Sequence, residues 1–564
     1  MFFPHLFQSF IPRENPLGFG GADFIVLALT AILVLFALIW RPWVIAHVAK
    51  LEKRALLCAI ILAALPVVLR MALLPGHPAP RPQVYDEFAH LLTADTLRHF
   101  RLANPPHPLH RFFETFYVIQ QPSYSSIYPI GQGLALAVGR VLFGRPWAGV
   151  VLSVAAFCGL CYWMLRGWTT PRWALVGGVL AVIEFGPLNE WMNDYWGGAV
   201  SAVAGCLVFG ALPRLRAQAR RRDAVLLGLG LGVQLLTRPF ESVLLVLCVI
   251  LFFLPALRNR DSARRLLRAV PIIALSAAPA ILLTLAQNRQ VTGSSMTLPY
   301  MLSRYQYGVP TTFTIQPNPV PHNQLTPQQA LAYRSQSSYH GAGTDTVNRY
   351  FGRLEYRARF YRFFFLTPLY LALPFFLLAL REFRYAWVAM TLAIFALGSN
   401  FYPFFFPHYI AAVTCLFVLV SIVGLERLNR LSRAAARLIL LLSIAQFLFW
   451  YGLHLAGDPD FSLEVRRYET WDWINHQGGD RRSSVVDALN EVPGDHLVFV
   501  RYYPQHIFQD EWVYNEAEID RAHIVWARDL GAQEDQKLIE YYPARTTWLL
   551  EPDFRPPRLT RYEP

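Results

Sequence analysis

The sequence predicts an α-helical polytopic membrane protein with about twelve spans and a small α/β domain at its C-terminus, outside the membrane. Three observations support this. Of the 564 residues, 54% are hydrophobic and only 16% are charged, against about 25% charged residues in ordinary soluble domains. Repeated apolar stretches approach the roughly 20 residues that cross a bilayer core. From about residue 456 the chain becomes polar and rich in Trp, Asp and Glu.

The positive charges follow a membrane topology. The net charge is +13, and the basic residues cluster between apolar runs, where positively charged cytoplasmic loops are expected. The clusters are Arg41, Lys50, Lys53 and Arg54; Arg214, Arg216, Arg220, Arg221 and Arg222; Arg258, Arg260, Arg264, Arg265 and Arg268; and Arg427, Arg430, Arg433 and Arg437. This placement, without any nucleic-acid-binding motif, argues against nucleic acid as a partner.

These clusters, taken as cytoplasmic, divide the chain into three parts. Residues 1–54 carry an extra first span and a cytoplasmic loop, 55–455 form the main membrane domain, and 456–564 form the soluble domain. The twelve predicted spans lie near 22–40, 55–74, 147–165, 173–188, 196–212, 224–237, 240–257, 267–286, 361–380, 385–400, 408–424 and 437–455.

The same topology places both termini and two long loops, 75–126 and 287–360, on the outer face. The apolar segment 127–143 would invert the later basic loops if it crossed the membrane. We therefore interpret it as a helix that lies on or partly in the outer face.

The C-terminal part alternates candidate helices with short strands. The helices are predicted at 462–477, 482–492 and 533–542, and the strands at His496–Arg501, His523–Arg528 and Thr546–Glu551. This order is typical of a small α/β domain. No phosphate-binding glycine loop occurs in the sequence, which disfavours ATP-driven transport by this chain alone.

The first outer loop contains two adjacent carboxylates, Asp86 and Glu87. A carboxylate near a membrane surface suits a general base, which takes a proton from an attacking hydroxyl or amine. The alternative is structural, because acidic residues also favour the N-terminus of a helix such as the predicted Phe88–Phe100. The pair alone does not decide between the two interpretations.

A second acidic cluster, with Glu190, Asn193 and Asp194, lies in the outer turn predicted at residues 188–198. Acidic groups among Trp and Gly at a membrane face are unfavourable unless they are used or solvated. The alternative is a wet interfacial turn with an aromatic belt. The predicted topology puts both acidic clusters on one side, so they could share a cavity.

Cationic residues are predicted on the same face. Arg238 interrupts an apolar region at an outer turn, and His408 and Tyr409 lie at the outer entry of a later span. Three arginines of the second outer loop repeat every four residues and share one helix face: Arg349, Arg353 and Arg357. They fit either an interfacial helix or a face that binds lipid phosphates, and both can hold together.

Four histidines lie close together in the first outer loop: His90, His99, His107 and His110. Their spacing matches no standard metal-ligand motif. The sequence therefore predicts no cofactor and no metal ligands, with assistance by a divalent metal left open.

In the order of these motifs the chain resembles the GT-C glycosyltransferases, polytopic enzymes that take sugars from polyprenyl-phosphate donors. The resemblance is strongest to the protein O-mannosyltransferase and aminoarabinose–lipid A transferase group, which is glycosyltransferase family 39-like. The matching features, across about residues 55–425, are Asp86-Glu87, Gln121-Pro122-Ser123-Tyr124, Tyr128-Pro129-Ile130-Gly131, Asp194, Thr237-Arg238-Pro239 and Pro407-His408-Tyr409. The departures are the extra first span, the absence of a charged residue or double proline near Gln121, and Arg238 where Lys is common.

The resemblance implies roles for single residues. Asp86, together with Glu87, would act as the catalytic base or position the acceptor, and Asp194 would be a supporting carboxylate. Arg238 and His408 would contact the donor phosphate. On the same outer face, we also expect Tyr409 and Arg357 to contact this phosphate. The acceptor or substrate cavity is expected to contain Tyr85, His90, Tyr128, Glu190 and Asn193.

These roles imply a membrane glycosyltransferase of the extracytoplasmic face. It would move a sugar from a polyprenyl-phosphate donor, held among membrane lipids, to a lipid, glycan or protein acceptor by an inverting displacement, metal-independent or metal-assisted. All six cysteines fall inside apolar runs, which is compatible with a bacterial inner membrane. Two alternatives remain: a transporter or flippase of lipid-linked glycans, although no internal repeat is visible, and an assembly scaffold, for which so many spans are excessive.

Overall fold

The computed structural model describes residues 19, 21–40, 54–341, 343–456, 474, 480–504 and 506–562. The basic residues Arg41, Lys50 and Lys53 lie outside the described residues, as does the predicted helix 462–477 apart from residue 474. The described part is mostly helical, with a small sheet near the C-terminus.

The first half of the helical part runs from α1 to α9. These helices are α1 (Gly21–Trp40), α2 (Ala55–Ala72), α3 (Tyr85–Arg98), α4 (Ile130–Phe143), α5 (Pro146–Leu165), α6 (Pro171–Phe185), α7 (Glu190–Asn193), α8 (Ala199–Gln218) and α9 (Arg221–Thr237). Between α3 and α4 lie a short 3-10 helix, His110–Phe113, and an antiparallel strand pair, β1 (Val118–Ile119) and β2 (Ser125–Ser126).

The second half contains α10 to α17 and four 3-10 helices. The α-helices are α10 (Pro239–Leu257), α11 (Arg260–Thr292), α12 (Pro299–Tyr307), α13 (Pro327–His340), α14 (Val347–Arg357), α15 (Phe383–Ser399), α16 (Thr414–Leu431) and α17 (Arg433–Ala456). The 3-10 helices are Ala358–Phe364, Thr367–Leu371, Leu373–Ala379 and Pro407–Val413.

Seven of the described helices are long and apolar enough to cross a membrane: α2, α5, α8, α10, α11, the Pro407–Leu431 segment that ends in α16, and α17. Three shorter apolar helices cover Asp23–Phe36, Ile130–Phe143 and Phe383–Ser399. The predicted polytopic helical fold is therefore confirmed. The helix Ile130–Phe143, in the segment interpreted as lying on the outer face, has 14 residues and is about 21 Å long, less than the roughly 30 Å of a bilayer core.

The predicted span 361–380 is not a continuous α-helix. Segment 361–380 contains three short 3-10 helices instead of one α-helix. Pro368 and Pro374 lie near the starts of two of them. Because proline lacks a backbone N–H and clashes with the preceding turn, it breaks a continuous helix.

The N-terminal helix α1 is anchored to this broken segment by a buried ion pair. Asp23 lies 2.6 Å from an Arg362 guanidinium nitrogen, and the Thr367 hydroxyl donates to the same carboxylate at 3.0 Å. Both charged side chains are almost completely buried. Such a pair is stable inside a membrane protein only when each charge is compensated, which fixes where α1 packs.

The core of the membrane part surrounds α16, which is buried along nearly its whole length. Helices α5, α6, α8 and α17 pack around it. On α8, a Cβ at Gly205 would lie only 1.7 Å from the carbonyl oxygen of Ala412. Small residues permit such close backbone approach. This contact fixes the 3-10 segment that carries His408.

The C-terminal sheet has four strands in the order β4-β3-β5-β6. Its strands are β3 (His496–Val500), β4 (Ile524–Arg528), β5 (Thr546–Glu551) and β6 (Arg558–Arg561), and its helices are α18 (Asp480–Asn490) and α19 (Ala532–Tyr541). The first three strands are parallel and β6 is antiparallel. The predicted strands are confirmed to within one residue, and β6 was not predicted.

Candidate active site

The start of helix α3 places Asp86 and Glu87 inside its first turn. The sequence predicts a helix over Phe88–Phe100, whereas the observed helix is Tyr85–Arg98. The Glu87 carboxylate accepts hydrogen bonds from two backbone N–H groups ahead of the helix, which closes its N-terminus at an earlier position than predicted. Both carboxylates are therefore held on a regular element.

The Asp86 carboxylate has the electrostatics of a general base. Its Oδ1 atom accepts a hydrogen bond from the Tyr128 hydroxyl. Burial raises the pKa of Asp86 to about 7; Tyr128 and Arg238 oppose this rise, and the charge of Glu87 adds to it. A base whose pKa lies near the working pH is effective, because it is often ionised and still takes a proton readily.

Five tyrosines lie near enough to interact electrostatically with this carboxylate, and we call them the tyrosine cluster: Tyr85, Tyr117, Tyr128, Tyr402 and Tyr409. The rings of Tyr85 and Tyr117 are 4.9 Å apart, and those of Tyr117 and Tyr128 are 5.7 Å apart. Burial and the Asp86 charge raise the pKa of Tyr85, Tyr117 and Tyr128. These phenols therefore stay neutral and offer hydrogen bonds without charge.

Two members of the tyrosine cluster are additions to the predicted set. Tyr402 lies in the aromatic run Phe401–Tyr409, which signals its presence near His408. Tyr117 has no local signal, because it reaches the site through the fold of the first outer loop. Its backbone carbonyl accepts from Ile127 N at 3.0 Å, next to the residue that binds Asp86.

Arg238 is a cation that lies close to this group. It lies at the break between α9 and α10, where Pro239 begins the second helix. Its guanidinium carbon is 4.3 Å from the centre of the Tyr409 ring, and its Nη1 atom is 3.3 Å from Glu241 Oε1. It is half-buried and close enough to Asp86 to lower the pKa of that carboxyl. A guanidinium has five N–H donors, so these contacts leave it able to bind an anion.

Two buried histidines flank the same region. The His90 ring stacks on Tyr128 at 4.2 Å, and the His408 ring packs against Trp196 at 5.5 Å. Burial, assisted by the charge of Arg238, lowers the pKa of His90 to about 3, so its imidazole is neutral at pH 7. Within the described part of the chain, neither Nδ1 atom has a hydrogen-bond partner. A proton on Nε2 is then favoured, which makes a neutral ring an N–H donor.

Glu87 is held in a different way from Asp86. Its carboxylate accepts three backbone hydrogen bonds, from Gln83 at 2.7 Å, Val84 at 3.2 Å and Tyr195 at 3.0 Å. Burial raises the pKa of Glu87, and these three bonds oppose the rise. The contact with Tyr195 ties α3 to residues 187–198, which we call the acidic turn.

The acidic turn brings Glu190 and Asp194 next to Glu87. Asp194 Oδ1 accepts from Trp196 N at 2.9 Å. Burial, and then the charge of Glu87, raise the pKa of Glu190 to about 8, and burial with both neighbouring carboxylates raises the pKa of Asp194 well above its usual value. These carboxyls therefore hold protons near neutral pH and form a group distinct from the surroundings of Asp86.

Asn193 and Arg357 make structural contacts. Asn193 Oδ1 accepts from Arg70 Nε at 2.8 Å, which ties the acidic turn to α2. The Arg357 guanidinium donates to backbone carbonyls in residues 399–404 and holds the chain that carries Tyr402. Its predicted contact with a donor phosphate stays a prediction, and the geometry gives it no support.

The four first-loop histidines do not come together. His99 Nδ1 bonds to the Asp95 carbonyl at 2.8 Å, whereas His107 Nε2 lies 3.3 Å from Asp520 of the C-terminal part. In the described ranges, no three His, Cys, Asp or Glu side chains are grouped to hold a metal ion.

Comparison with known proteins identifies the fold. No family model and no curated protein matches the chain. Among solved structures, ArnT from Cupriavidus metallidurans in the apo state is similar with a TM-score of 0.51 at 12% identity, over 87% of this chain and 92% of that one. The structure of that ArnT bound to undecaprenyl phosphate gives a TM-score of 0.49 at 13% identity, over 87% and 92% of the two chains.

A second similar protein is the Archaeoglobus fulgidus oligosaccharyltransferase in its apo form. It gives a TM-score of 0.41 at 13% identity, over 89% of this chain and 69% of that one. At these sequence identities a structural comparison shows the fold alone. The fold assignment rests on the similarity to apo ArnT. The fold predicted from the motif order is confirmed: this protein has the GT-C fold, as ArnT does.

Proposed function

We propose that the protein is a membrane glycosyltransferase that moves a sugar from a polyprenyl-phosphate donor to an acceptor hydroxyl or amine. One observation carries the proposal. Asp86, a carboxyl whose pKa is raised to about 7, lies near Arg238 and is surrounded by neutral tyrosines. A base and an anion-binding cation in one aromatic group are what a displacement at an anomeric carbon needs.

The proposed reaction is a single inverting displacement. The acceptor oxygen or nitrogen gives its proton to the Asp86 carboxylate and forms a bond to the anomeric carbon. The bond between that carbon and the phosphate oxygen breaks, and its electron pair stays on the phosphate. Arg238 stabilises the charge that develops on the leaving phosphate. The step as written needs neither a nucleotide nor a redox partner.

His408 and Tyr409 assist on the phosphate side of this proposal. Tyr409 packs under the Arg238 guanidinium, which holds the cation in place. His408 lies on the same 3-10 segment as Tyr409 and packs against Trp196. A neutral imidazole there donates a hydrogen bond to a phosphate oxygen.

On the acceptor side, Tyr128 orients the base by donating to Asp86. His90 keeps Tyr128 in place by stacking on it. Tyr85 and Tyr117 add neutral hydroxyl groups nearby. We assign Glu87, Glu190, Asn193 and Asp194 to holding α3 against the acidic turn instead of to the chemical step.

We further propose that the site faces the extracytoplasmic side of a bacterial inner membrane. The C-terminal part contacts the first outer loop directly, for example through Ala517 N and Asp95 at 2.8 Å, so the two share one side of the membrane. The basic loops between spans support the cytoplasmic assignment of the other side.

The experiment is sugar transfer by purified full-length protein in lipid nanodiscs. The donors are a panel of polyprenyl-phosphate sugars, and released polyprenyl phosphate is measured with and without added acceptors. Release of polyprenyl phosphate that depends on protein supports the proposal. If no donor is consumed while lipid-linked sugar crosses proteoliposome membranes, the chain is a transporter and the proposal fails.

A further inference from the structure

The C-terminal sheet and the first outer loop share one hydrophobic core. Phe112, Phe113 and Val118 of the loop pack with Leu497 and Phe499 of strand β3. This shared core means that the small C-terminal domain packs directly against the first outer loop. It shapes the loop that carries Asp86.

The contact continues along helix α3. The Phe88 ring stacks on Tyr514 at 4.6 Å with an interplanar angle of 4°. Tyr514 also donates to the Phe116 carbonyl at 3.2 Å. The C-terminal domain therefore packs against helix α3 within two residues of Asp86.

The edge of the sheet that meets the outer loops is the edge where its parallel strands end. Arg528, the last residue of β4, forms a buried ion pair with Glu511. It also donates to the Glu114 carbonyl and, at 2.9 Å, to Gln328 Oε1. Strand order reverses at β3, which has β4 on one side and β5 on the other. In open α/β sheets, ligands bind outside the carboxyl ends of the strands at such a reversal.

From this edge one aromatic side chain reaches the proposed active site. Phe508, in the segment that leaves β3, lies 6.5 Å from the Tyr85 ring with an interplanar angle of 25° and 5.8 Å from Phe116. Tyr85 precedes Asp86, and its ring packs edge-to-face against Tyr117. Phe508 and Tyr85 are both half-buried, so neither side chain is fully covered.

We propose that Phe508 is a specificity-determining residue for the acceptor, and that the acceptor presents a sugar ring. Phe508 and Tyr85 form an aromatic wall against which the C–H face of a pyranose packs, because the negative face of an aromatic ring attracts polarised C–H groups. The nearby tyrosine hydroxyls suit the neutral hydroxyls of a sugar. This inference rests on the proposed function and assigns its acceptor class.

The test compares acceptors and water in the same enzyme. Full-length protein in nanodiscs receives the polyprenyl-phosphate sugar that the wild type consumes. The acceptor probes are octyl β-glucopyranoside and octyl β-galactopyranoside below their micellar concentrations, with a serine-containing tripeptide as the non-carbohydrate probe. Transfer to each probe and release of sugar to water are measured separately, together with the unfolding temperature.

The wild type is expected to glycosylate the pyranosides in preference to the tripeptide. Phe508→Ala should raise the KM for the pyranoside about five- to tenfold, the range of one aromatic contact, with release to water and the donor KM unchanged. Phe508→Trp keeps an aromatic ring, so its KM for the pyranoside should stay close to that of the wild type. The matched control is Phe554→Ala, because Phe554 is a half-buried phenylalanine beyond β5 that packs on Tyr503.

Three results would overturn the inference. One is a pyranoside KM that Phe508→Ala leaves unchanged, and another is an equal loss of pyranoside transfer and water release, which indicates a purely structural side chain. The third is a wild type that uses the donor but prefers the tripeptide or accepts no pyranoside. In all three cases the wild type still consumes the donor, whereas a wild type that consumes no donor contradicts the proposed function itself.

Discussion

Asp86 and Glu87 are neighbours in the sequence, yet their carboxylates lie in two regions with different hydrogen-bond partners. Asp86 faces the tyrosine cluster, where one tyrosine hydroxyl bonds to it and a cation lies nearby. Glu87 accepts hydrogen bonds from three backbone N–H groups, two just before helix α3 and one in the acidic turn. A carboxylate engaged by three backbone N–H groups holds a structure together, whereas one bonded to a single tyrosine hydroxyl beside a cation keeps acceptor capacity for chemistry.

The largest expected effect is on Asp86. Asp86→Asn keeps the side-chain shape but cannot accept a proton, so the rate constant for sugar transfer should fall about a thousandfold, within the range for loss of a general base. Donor affinity, measured by binding of a labelled polyprenyl-phosphate sugar, should change little. Asp487→Asn, the same substitution at an exposed position, serves as the control. Near-normal transfer by Asp86→Asn would remove Asp86 as the base.

The second effect concerns the cation that the tyrosine cluster holds. Arg238→Ala removes the charge facing the leaving phosphate and should lower kcat/KM about a hundredfold, as loss of one preorganised donor does. Arg238→Lys should recover part of this loss, because lysine keeps the charge but not the planar fork. The measurement is the initial rate of polyprenyl-phosphate release. Equal rates for Arg238→Ala and wild type would refute the assignment.

The third effect is on the pH dependence of kcat/KM, which reports the pKa of Asp86. Because the base must be unprotonated, kcat/KM should rise with pH around pH 7, the pKa to which burial raises Asp86, and level off above it. Tyr128→Phe removes a hydrogen bond that favours the carboxylate, so the midpoint should move up by about one unit. At pH 7 the rate should then fall about fivefold. A midpoint that does not move would show that Tyr128 does not tune the base.

The smallest effect on rate is expected on the other side of the helix. Glu87→Gln converts one acceptor oxygen to an amide nitrogen and leaves a buried N–H group without a partner. This should reduce stability by about 1–3 kcal/mol, seen as a lower unfolding temperature in nanodiscs, with transfer reduced only a few-fold. The interpretation fails if Glu87→Gln unfolds like the wild type.

The sequence predicted much of the fold, because the relevant signals are local. The apolar runs gave the membrane helices, and short apolar runs between turns gave β3, β4 and β5 to within one residue. Strand β6 was missed because Arg558–Arg561 is short, charged and preceded by two prolines. The prolines of segment 361–380 indicate a break in the helix, but the high hydropathy of the segment favours the prediction of one continuous span.

The candidate site was predictable only in part, because it depends on long-range contacts. Sequence motifs indicate Asp86, Tyr128, Arg238, His408 and Tyr409, and these residues lie close together. Tyr117 and Phe508 carry no motif, since they reach the site through loop folding and the shared core. The different contacts of Asp86 and Glu87 also escape sequence analysis, because the partners of Glu87 include a backbone N–H group more than a hundred residues away.

The most direct test of the account measures Asp86→Asn and Glu87→Gln side by side, each for sugar transfer and for unfolding temperature in the same nanodiscs. The account predicts a crossed result: Asp86→Asn loses transfer and keeps its unfolding temperature, while Glu87→Gln loses unfolding temperature and keeps most of its transfer. If both substitutions abolish transfer without changing stability, the two carboxylates act together in the chemical step, and the division between them is wrong.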